Sequence, residues 1–163
     1  MDPTVLKSLK SRTHAEYRFF LYYRTRWSDN DQYAHMNNAI YYHLFNSIIN
    51  TYLIKKCDDS PATSQLIGIV VSSSCQYFSP LSFPQVIHLG LRVNKLGLSS
   101  VSFEIAAFKL DESSPAAVGS YTYAFVDRQS KKSTPMGEEL KRHLRSLLVG
   151  DGESSVGLTK GKL

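Results

Sequence analysis

Cysteine and tryptophan are scarce in this 163-residue sequence, and long apolar runs are absent. Two cysteines, Cys57 and Cys75, do not make a disulfide framework, so we expect a reducing compartment. No run reaches the roughly 18 apolar residues that span a bilayer. The start Met1-Asp2-Pro3 has no apolar segment behind it, which predicts that the chain carries no secretory signal.

Several well-known site motifs are also missing. The sequence has no G-x-S-x-G nucleophile elbow, no G-x-G-x-x-G turn and no Walker loop, which argues against serine-hydrolase, dinucleotide-binding and NTPase chemistry. His35 and His43 lie eight positions apart with no second ligand pair nearby. We therefore expect neither a metal site nor a cofactor.

Positive charge is in modest excess. Lysine and arginine number 19 against 14 acidic residues, a net charge of +5. The basic residues are scattered, and the densest stretch, 128–145, is best interpreted as the solvated face of a helix. A nucleic-acid partner is therefore not expected, whereas a phosphorylated small molecule would suit the charge.

Periodicity predicts one long helix and a set of strands. The aromatic run Tyr17–Trp27 favours a strand. After eleven turn-forming residues, Asn38–Lys55 repeats apolar residues at helical spacing on most sides, which predicts a largely buried helix. Four strand-like segments follow, with period-two alternation in the last three, and predict an antiparallel meander: Gln65–Phe78, Val86–Asn94, Ser99–Leu110 and Ala117–Val126.

A last helix is predicted from Thr134 as N-cap and Pro135 as its first residue, with Gly150 ending it. One apolar helix packed against a curved antiparallel sheet is an α+β architecture. The predicted domain covers residues 17–149. A flexible, irregular segment is expected over 1–16 and a disordered tail over 150–163.

The stretch Arg26–Asn38, RWSDNDQYAHMNN, resembles the signature of the 4-hydroxybenzoyl-CoA thioesterase-like group of hot-dog proteins. Asp29 and Asp31 match its Asp-x-Asp pair, and Ala34 stands where a glycine is usual. Further matches at 77–80, 96–100 and 126–128 extend the resemblance over residues 18–148. It implies a curved antiparallel five-stranded sheet wrapped around one long central helix, followed by a C-terminal helix.

The resemblance also implies acyl-CoA thioesterase activity. The second aspartate of the pair, Asp31, would act as general base or as nucleophile, and the backbone N–H of Asn38 would bind the oxyanion. A helix start offers unpaired N–H groups and the positive end of a dipole, which suits both roles. The family's other design uses an acid inside the helix, but no acidic residue lies between Asp31 and Asp58.

Structural alternatives exist for the aspartates and the residues after them. Asp31 alone is compatible with a plain N-cap-like loop residue, and Asp29 is expected to bond the loop backbone in an Asx-type turn. His35 either touches substrate or fixes the loop. Asn37 and Asn38 are first of all helix caps, with Asn37 a candidate substrate contact.

Three further residues are candidates for substrate binding. Tyr41 belongs either to the apolar stripe of the helix or to the acyl pocket. Ser99 and Ser100 resemble family positions near the thioester, although serines in a turn after Gly97 need no function.

The expected substrate is an acyl-CoA, with acyl-carrier protein as the alternative carrier, and the expected assembly is a homodimer or a dimer of dimers. The rival interpretation is a non-catalytic hot-dog domain that binds acyl groups or scaffolds a partner. The expected location is the cytoplasm. Gly161-Lys162-Leu163 resembles a peroxisomal address and makes the peroxisome the alternative.

Overall fold

The computed structural model describes residues 2–57 and 62–150. It contains five strands and three helices. The strands are β1 (Phe19–Arg24), β2 (Leu66–Tyr77), β3 (Val86–Leu96), β4 (Ser100–Lys109) and β5 (Ala117–Asp127). The helices are α1 (Pro3–Lys10), α2 (Asn38–Cys57) and α3 (Glu138–Ser146), with single 3₁₀ turns at His14–Glu16 and Trp27–Asp29.

The strands form one antiparallel sheet in the order β1-β3-β4-β5-β2. The prediction of a four-stranded meander is wrong for β2, which pairs with β5 and not with β3. The connection 78–85 contains two prolines and is too long for a tight hairpin. It ends where Thr25 donates its backbone N–H to the carbonyl of Gln85, so β3 begins beside β1.

Helix α2 lies against the concave face of this curved sheet, and seven of its side chains are buried. Phe45, Ile48 and Ile49 are completely inaccessible. The Phe45 ring packs so close to Gly119 of β5 that no side chain fits there. This confirms the predicted buried helix, which extends two residues beyond Lys55, and the predicted α+β hot-dog architecture.

The prediction of an irregular segment over residues 1–16 is wrong for Pro3–Lys10, which is α1. Asp2 caps this helix by accepting a 2.8 Å hydrogen bond from the backbone N–H of Thr4. Beyond α1, Arg12 donates to Glu104 on the convex face of the sheet. An aspartate followed by proline is a helix-start signal, and here it is sufficient to begin α1.

The C-terminal helix begins at Glu138, three residues after the predicted first residue Pro135, and its N-cap is Gly137 and not Thr134. The backbone N–H groups of Thr134 and Met136 instead bond to the carbonyls of Phe125 and Leu98, both at 3.0 Å, which holds this segment extended against the sheet. Sheet pairing therefore outweighs the Thr-Pro helix signal. As predicted, leucines on one side of this segment are buried. Leu140 and Leu144 lie in α3, and Leu147 follows it directly.

The predicted disordered tail lies outside the described residues from position 151 onward. In the part of the chain that is described, no helix is long and apolar enough to cross a membrane.

Candidate active site

The turn between β1 and α2 is closed by its own backbone. Asn30 and Met36 form an antiparallel bridge, and the Asp31 N–H donates to the His35 carbonyl at 2.7 Å. Ala34 occupies the left-handed region with φ of 61°. Ala34 therefore adopts a backbone conformation that glycine adopts more easily. We expect this to cost about 1 kcal/mol of folding free energy.

Asp31 is held in this turn through one carboxylate oxygen. Its Oδ1 accepts from the backbone N–H groups of Tyr33 at 2.8 Å and His35 at 3.1 Å. This is the Asx-type arrangement that the sequence suggested for Asp29. The side chain of Asp31 is half-buried, and its Oδ2 accepts no hydrogen bond from any described residue. That oxygen is free to accept a proton.

Asp29 has a different environment. It is buried, and its Oδ2 accepts from the Tyr23 hydroxyl and from the backbone N–H of Arg26, each at 2.7 Å. Its backbone carbonyl also accepts from Asn37, at 2.8 Å. Burial, and then the hydrogen bond to Asp29, raises the pKa of Tyr23. Asp29 thus joins β1 to the start of α2 and takes no part in the open cleft.

The first turn of α2 leaves one donor open. Asn37 caps the helix, because its Oδ1 accepts from the backbone N–H of Ala39 at 3.0 Å. The N–H of Asn37 is already bonded to Asp29. The N–H of Asn38, the first residue of α2, has no acceptor among the described residues. It is therefore an available donor at the positive end of the helix.

Asp31 and Asn38 line the same cleft, which has a volume of about 540 Å³. Its walls come from the turn, the start of α2 and the end of β2, and consist of Asp31, His35, Met36, Asn37, Asn38, Tyr41 and 77–80. The rings of Tyr41 and Tyr77 meet edge to face with centroids 5.0 Å apart. Burial raises the pKa of Tyr41 to about 12, so its phenol is neutral near neutral pH.

Five predicted site residues therefore come together, namely Asp31, His35, Asn37, Asn38 and Tyr41. Ser99 and Ser100 do not join them within one chain. Ser100 opens β4, while Ala107, seven residues further on, pairs with Ala117 at the cleft end of the sheet. Seven residues of strand span roughly 20 Å. Ser99 is buried at the far end, where its Oγ accepts from Ser133 at 3.0 Å.

The opposite wall of the cleft is formed by residues that were not among the predicted site residues. Tyr77 and Phe78 lie there with Ser79 and Pro80. Residues 77–80 are one of the matches that carry the family resemblance. That match was the sequence signal from which this wall of the cleft could have been predicted. Within the described residues, no group of three or more His, Cys, Asp or Glu side chains is placed to hold a metal ion.

A five-stranded antiparallel sheet wrapped around one long helix is the hot-dog architecture, and here Asp31 lies in the same cleft as the open N-terminus of that helix. The chain belongs to the Thioesterase-like superfamily, whose family model matches residues 25–144. This membership supports thioester hydrolysis as the general activity.

Three similar proteins extend the comparison. The PA5185 protein of Pseudomonas aeruginosa is 42% identical, with a TM-score of 0.81, over 83% of this chain and 95% of that one. The uncharacterized protein YsmA of Bacillus subtilis is 24% identical over 78% of this chain and 86% of its own length. SAV2348 of Staphylococcus aureus, solved in complex with CoA, has a TM-score of 0.74 at 14% identity, over 87% of this chain and 89% of that one.

Proposed function

We propose that this protein is an acyl-CoA thioesterase that hydrolyses an acyl thioester to the free acid and CoA. The observation that supports this most strongly is the shared cleft of Asp31 and Asn38, which offers a free carboxylate oxygen and a free backbone donor. The assignment to the 4-hydroxybenzoyl-CoA thioesterase-like group rests on the sequence resemblance. The choice of CoA is supported by the CoA-bound S. aureus protein through its fold alone.

In the proposed reaction the thioester carbonyl lies at the start of α2. The N–H of Asn38 donates to the carbonyl oxygen and stabilises the negative charge that develops there. Asp31 Oδ2 takes a proton from water as the water oxygen attacks the carbonyl carbon. The C–S bond then breaks, the thiolate leaves, and the proton held by Asp31 is available to the thiolate.

A second route uses the same groups. Asp31 Oδ2 attacks the carbonyl carbon, the thiolate leaves, and water hydrolyses the resulting mixed anhydride. Single-turnover hydrolysis in ¹⁸O-water tests for the second route, because ¹⁸O enters the Asp31 carboxylate only when water attacks the Asp31 carbonyl carbon of the anhydride.

The remaining cleft residues are proposed to position the substrate. Tyr41 is buried and contributes its ring, so we assign it to the acyl side of the cleft. His35 and Asn37 are exposed at the mouth, where they can contact the pantetheine arm. Because the Oδ1 of Asn37 already caps α2, its free amide N–H groups are the donors available to substrate.

We also propose that the protein is a homodimer, or a dimer of dimers, paired through β2. This strand is an edge of the sheet, and Ile69, Val70 and Val71 are 42%, 43% and 60% exposed. Such an edge is a template for a second chain. Antiparallel pairing of two β2 strands about a two-fold axis brings the far end of one sheet towards the cleft end of the other. In that arrangement Ser99 and Ser100 approach the partner's cleft.

The rival function is a non-catalytic hot-dog domain that binds acyl groups or scaffolds a partner. Ala34, at a position where the related sequences usually have glycine, slightly favours this rival. The turn nevertheless closes with Ala34 in the left-handed conformation.

A panel of aliphatic and aromatic acyl-CoA substrates, with acyl-carrier protein included, tests the proposal through release of free thiol. We expect turnover of at least one acyl-CoA. Binding of acyl-CoA without thiol release would support the rival.

The proposed location is the cytoplasm, with the peroxisome as the alternative. The peroxisome-like address Gly161-Lys162-Leu163 lies outside the described residues. A fluorescent tag at the N-terminus leaves Leu163 free, and punctate signal that disperses when 161–163 are deleted would favour the peroxisome.

A further inference from the structure

A groove of about 360 Å³ lies at the end of β1, outside the cleft. Its lining consists of Arg24, Thr25, Phe83, Pro84, Gln85 and Val86. Trp27 stands beside it, with its ring edge-on to Phe83 at 6.0 Å between centroids and 88° between planes. The only tryptophan of the chain is 78% exposed, and Phe83 is 38% exposed. A large aromatic surface therefore faces solvent next to a small groove.

Positive charge accompanies this aromatic surface. Arg24 and Arg26 are exposed, and neither forms an ion pair with a carboxylate of the described residues. The Arg26 guanidinium lies over the ring of Tyr23 at 5.9 Å. The nearby Asp29 carboxylate is buried and accepts from Tyr23 and from the Arg26 backbone. We call Arg24, Arg26, Trp27 and Phe83 the basic-aromatic rim.

Hydrogen bonds fix the rim to the turn between β1 and α2, which carries Asp31 and is called the catalytic turn below. The backbone N–H of Phe83 donates to Oδ1 of Asn30 at 3.1 Å, and the N–H of Met36 donates to the carbonyl of Leu81 at 2.7 Å. The Thr25 hydroxyl donates to the carbonyl of Ser82 at 3.1 Å. One short segment, 81–83, thus contacts both the residue before Asp31 and the strand that carries Arg24.

We infer that the basic-aromatic rim binds the adenosine 3′,5′-bisphosphate end of CoA. This inference rests on the proposed function, because it adds a second subsite for the same substrate. A purine ring stacks on an exposed indole, and guanidinium groups match phosphate oxygens with paired donors. A nucleotide supplies one flat ring and several negative charges within a short span, which complements an exposed indole beside two arginines. The acyl group occupies the cleft while the nucleotide remains on the rim.

The test compares two thioesters of the same acyl group, one on CoA and one on N-acetylcysteamine, which lacks the nucleotide. The variants are the double Arg24→Gln/Arg26→Gln and the single Trp27→Ala. Arg18→Gln is the matched control, because Arg18 is exposed just before β1, at the end of that strand away from the rim. We expect kcat/KM for the CoA thioester to fall roughly 10- to 100-fold in the double variant and about tenfold in Trp27→Ala. Hydrolysis of the truncated thioester should stay unchanged, as should both activities of Arg18→Gln.

The other outcomes overturn the inference. Equal losses on both thioesters would mean that the rim only supports the catalytic turn. No loss on either would remove the rim from substrate binding and leave the proposed function intact. A third thioester of the same acyl group, carried on acyl-carrier protein, is assayed with the same variants, and a loss confined to it would assign the rim to that protein.

Calorimetry with adenosine 3′,5′-bisphosphate tests the rim without any turnover. We expect binding to the wild-type protein and to Arg18→Gln, and none to the double variant. If the wild-type protein hydrolyses no thioester, the proposed function fails. The titration still shows whether the rim binds the nucleotide. Absence of binding to the wild-type protein would contradict the inference even if CoA thioesters are hydrolysed.

Discussion

The hydroxyl of Tyr23 on β1 donates a 2.7 Å hydrogen bond to Asp29, and the same carboxylate oxygen accepts from the backbone of Arg26. This buried contact fixes the end of β1 against the residues that precede Asp31. Of the two aspartates in the Asp-x-Asp pair, Asp29 therefore stabilises the site and Asp31 faces the cleft.

Replacing Asp29 by Asn should lower stability more than it lowers activity. The buried oxygen loses its charge, and the two donors lose a charged acceptor, which costs about 1–3 kcal/mol. Urea unfolding measures this loss, with Asp111→Asn as an exposed control expected to be near neutral. An unchanged unfolding midpoint together with a large fall in kcat would assign the chemistry to Asp29.

Glu104 should be the most costly carboxylate to remove outside the site. It is 3% exposed and accepts from Arg12 and Tyr17 at 3.0 Å and from Asn94 at 2.8 Å. Glu104→Ala removes one of the two carboxylates that pair with Arg12 and Arg92, the other being Glu16, and takes the charged acceptor from Tyr17 and Asn94. We therefore expect a loss of about 1.5–3 kcal/mol in urea unfolding.

The matched control for Glu104 is Glu112→Ala. Glu112 forms an exposed ion pair with Lys109 at 3.0 Å, and its removal should cost less than about 1 kcal/mol. Equal losses in the two variants would contradict the role of Glu104 as the anchor of the N-terminal segment.

Ala34→Gly should stabilise the protein. Ala34 has φ of 61°, which glycine adopts without the steric cost that a Cβ imposes, so a gain of roughly 1 kcal/mol is expected. Ala39→Gly in the first turn of α2 serves as the comparison, because glycine weakens helices. Thermal unfolding of both variants measures the difference, and destabilisation of Ala34→Gly would show that the left-handed turn is not strained.

The exposed β2 edge predicts a dimer that depends on Val71. Sedimentation should show the wild-type chain above its monomer mass of 18.4 kDa at micromolar concentration. Val71→Glu adds a charge to a side chain that is 60% exposed on the edge strand, and should shift the protein towards monomer. Val5→Glu on α1, where Val5 is 47% exposed, should not. A wild-type monomer would contradict the proposed assembly.

Local patterns predict the five strands and α2, but they miss α1 and place the start of α3 three residues too early. Alternation and helical spacing are informative because each depends on which faces of a segment are buried. The position of β2 does not follow from them. The isoleucine- and valine-rich composition of Leu66–Tyr77 predicts a strand but does not identify its neighbours. Its pairing with β5 depends on contacts between residues that are far apart in the sequence.

The site was predictable in part for the same reason. Asp31, His35 and Asn37 belong to one short turn, so their proximity follows from sequence distance. The wall from β2 is remote in sequence and needed the fold. Ser99 was placed near the thioester by resemblance alone, and one chain keeps it at the other end of the sheet.

We propose that Asp31 supplies the base or nucleophile for thioester hydrolysis. Asp31→Asn keeps the acceptor oxygen for Tyr33 and His35 while removing the carboxylate that takes the proton or attacks the carbonyl. The measurement is the steady-state rate on the best acyl-CoA of the panel, compared with that of Asp111→Asn. We predict a fall in kcat on the order of 10²-fold or more, with KM little changed. Wild-type turnover by Asp31→Asn would contradict the claim.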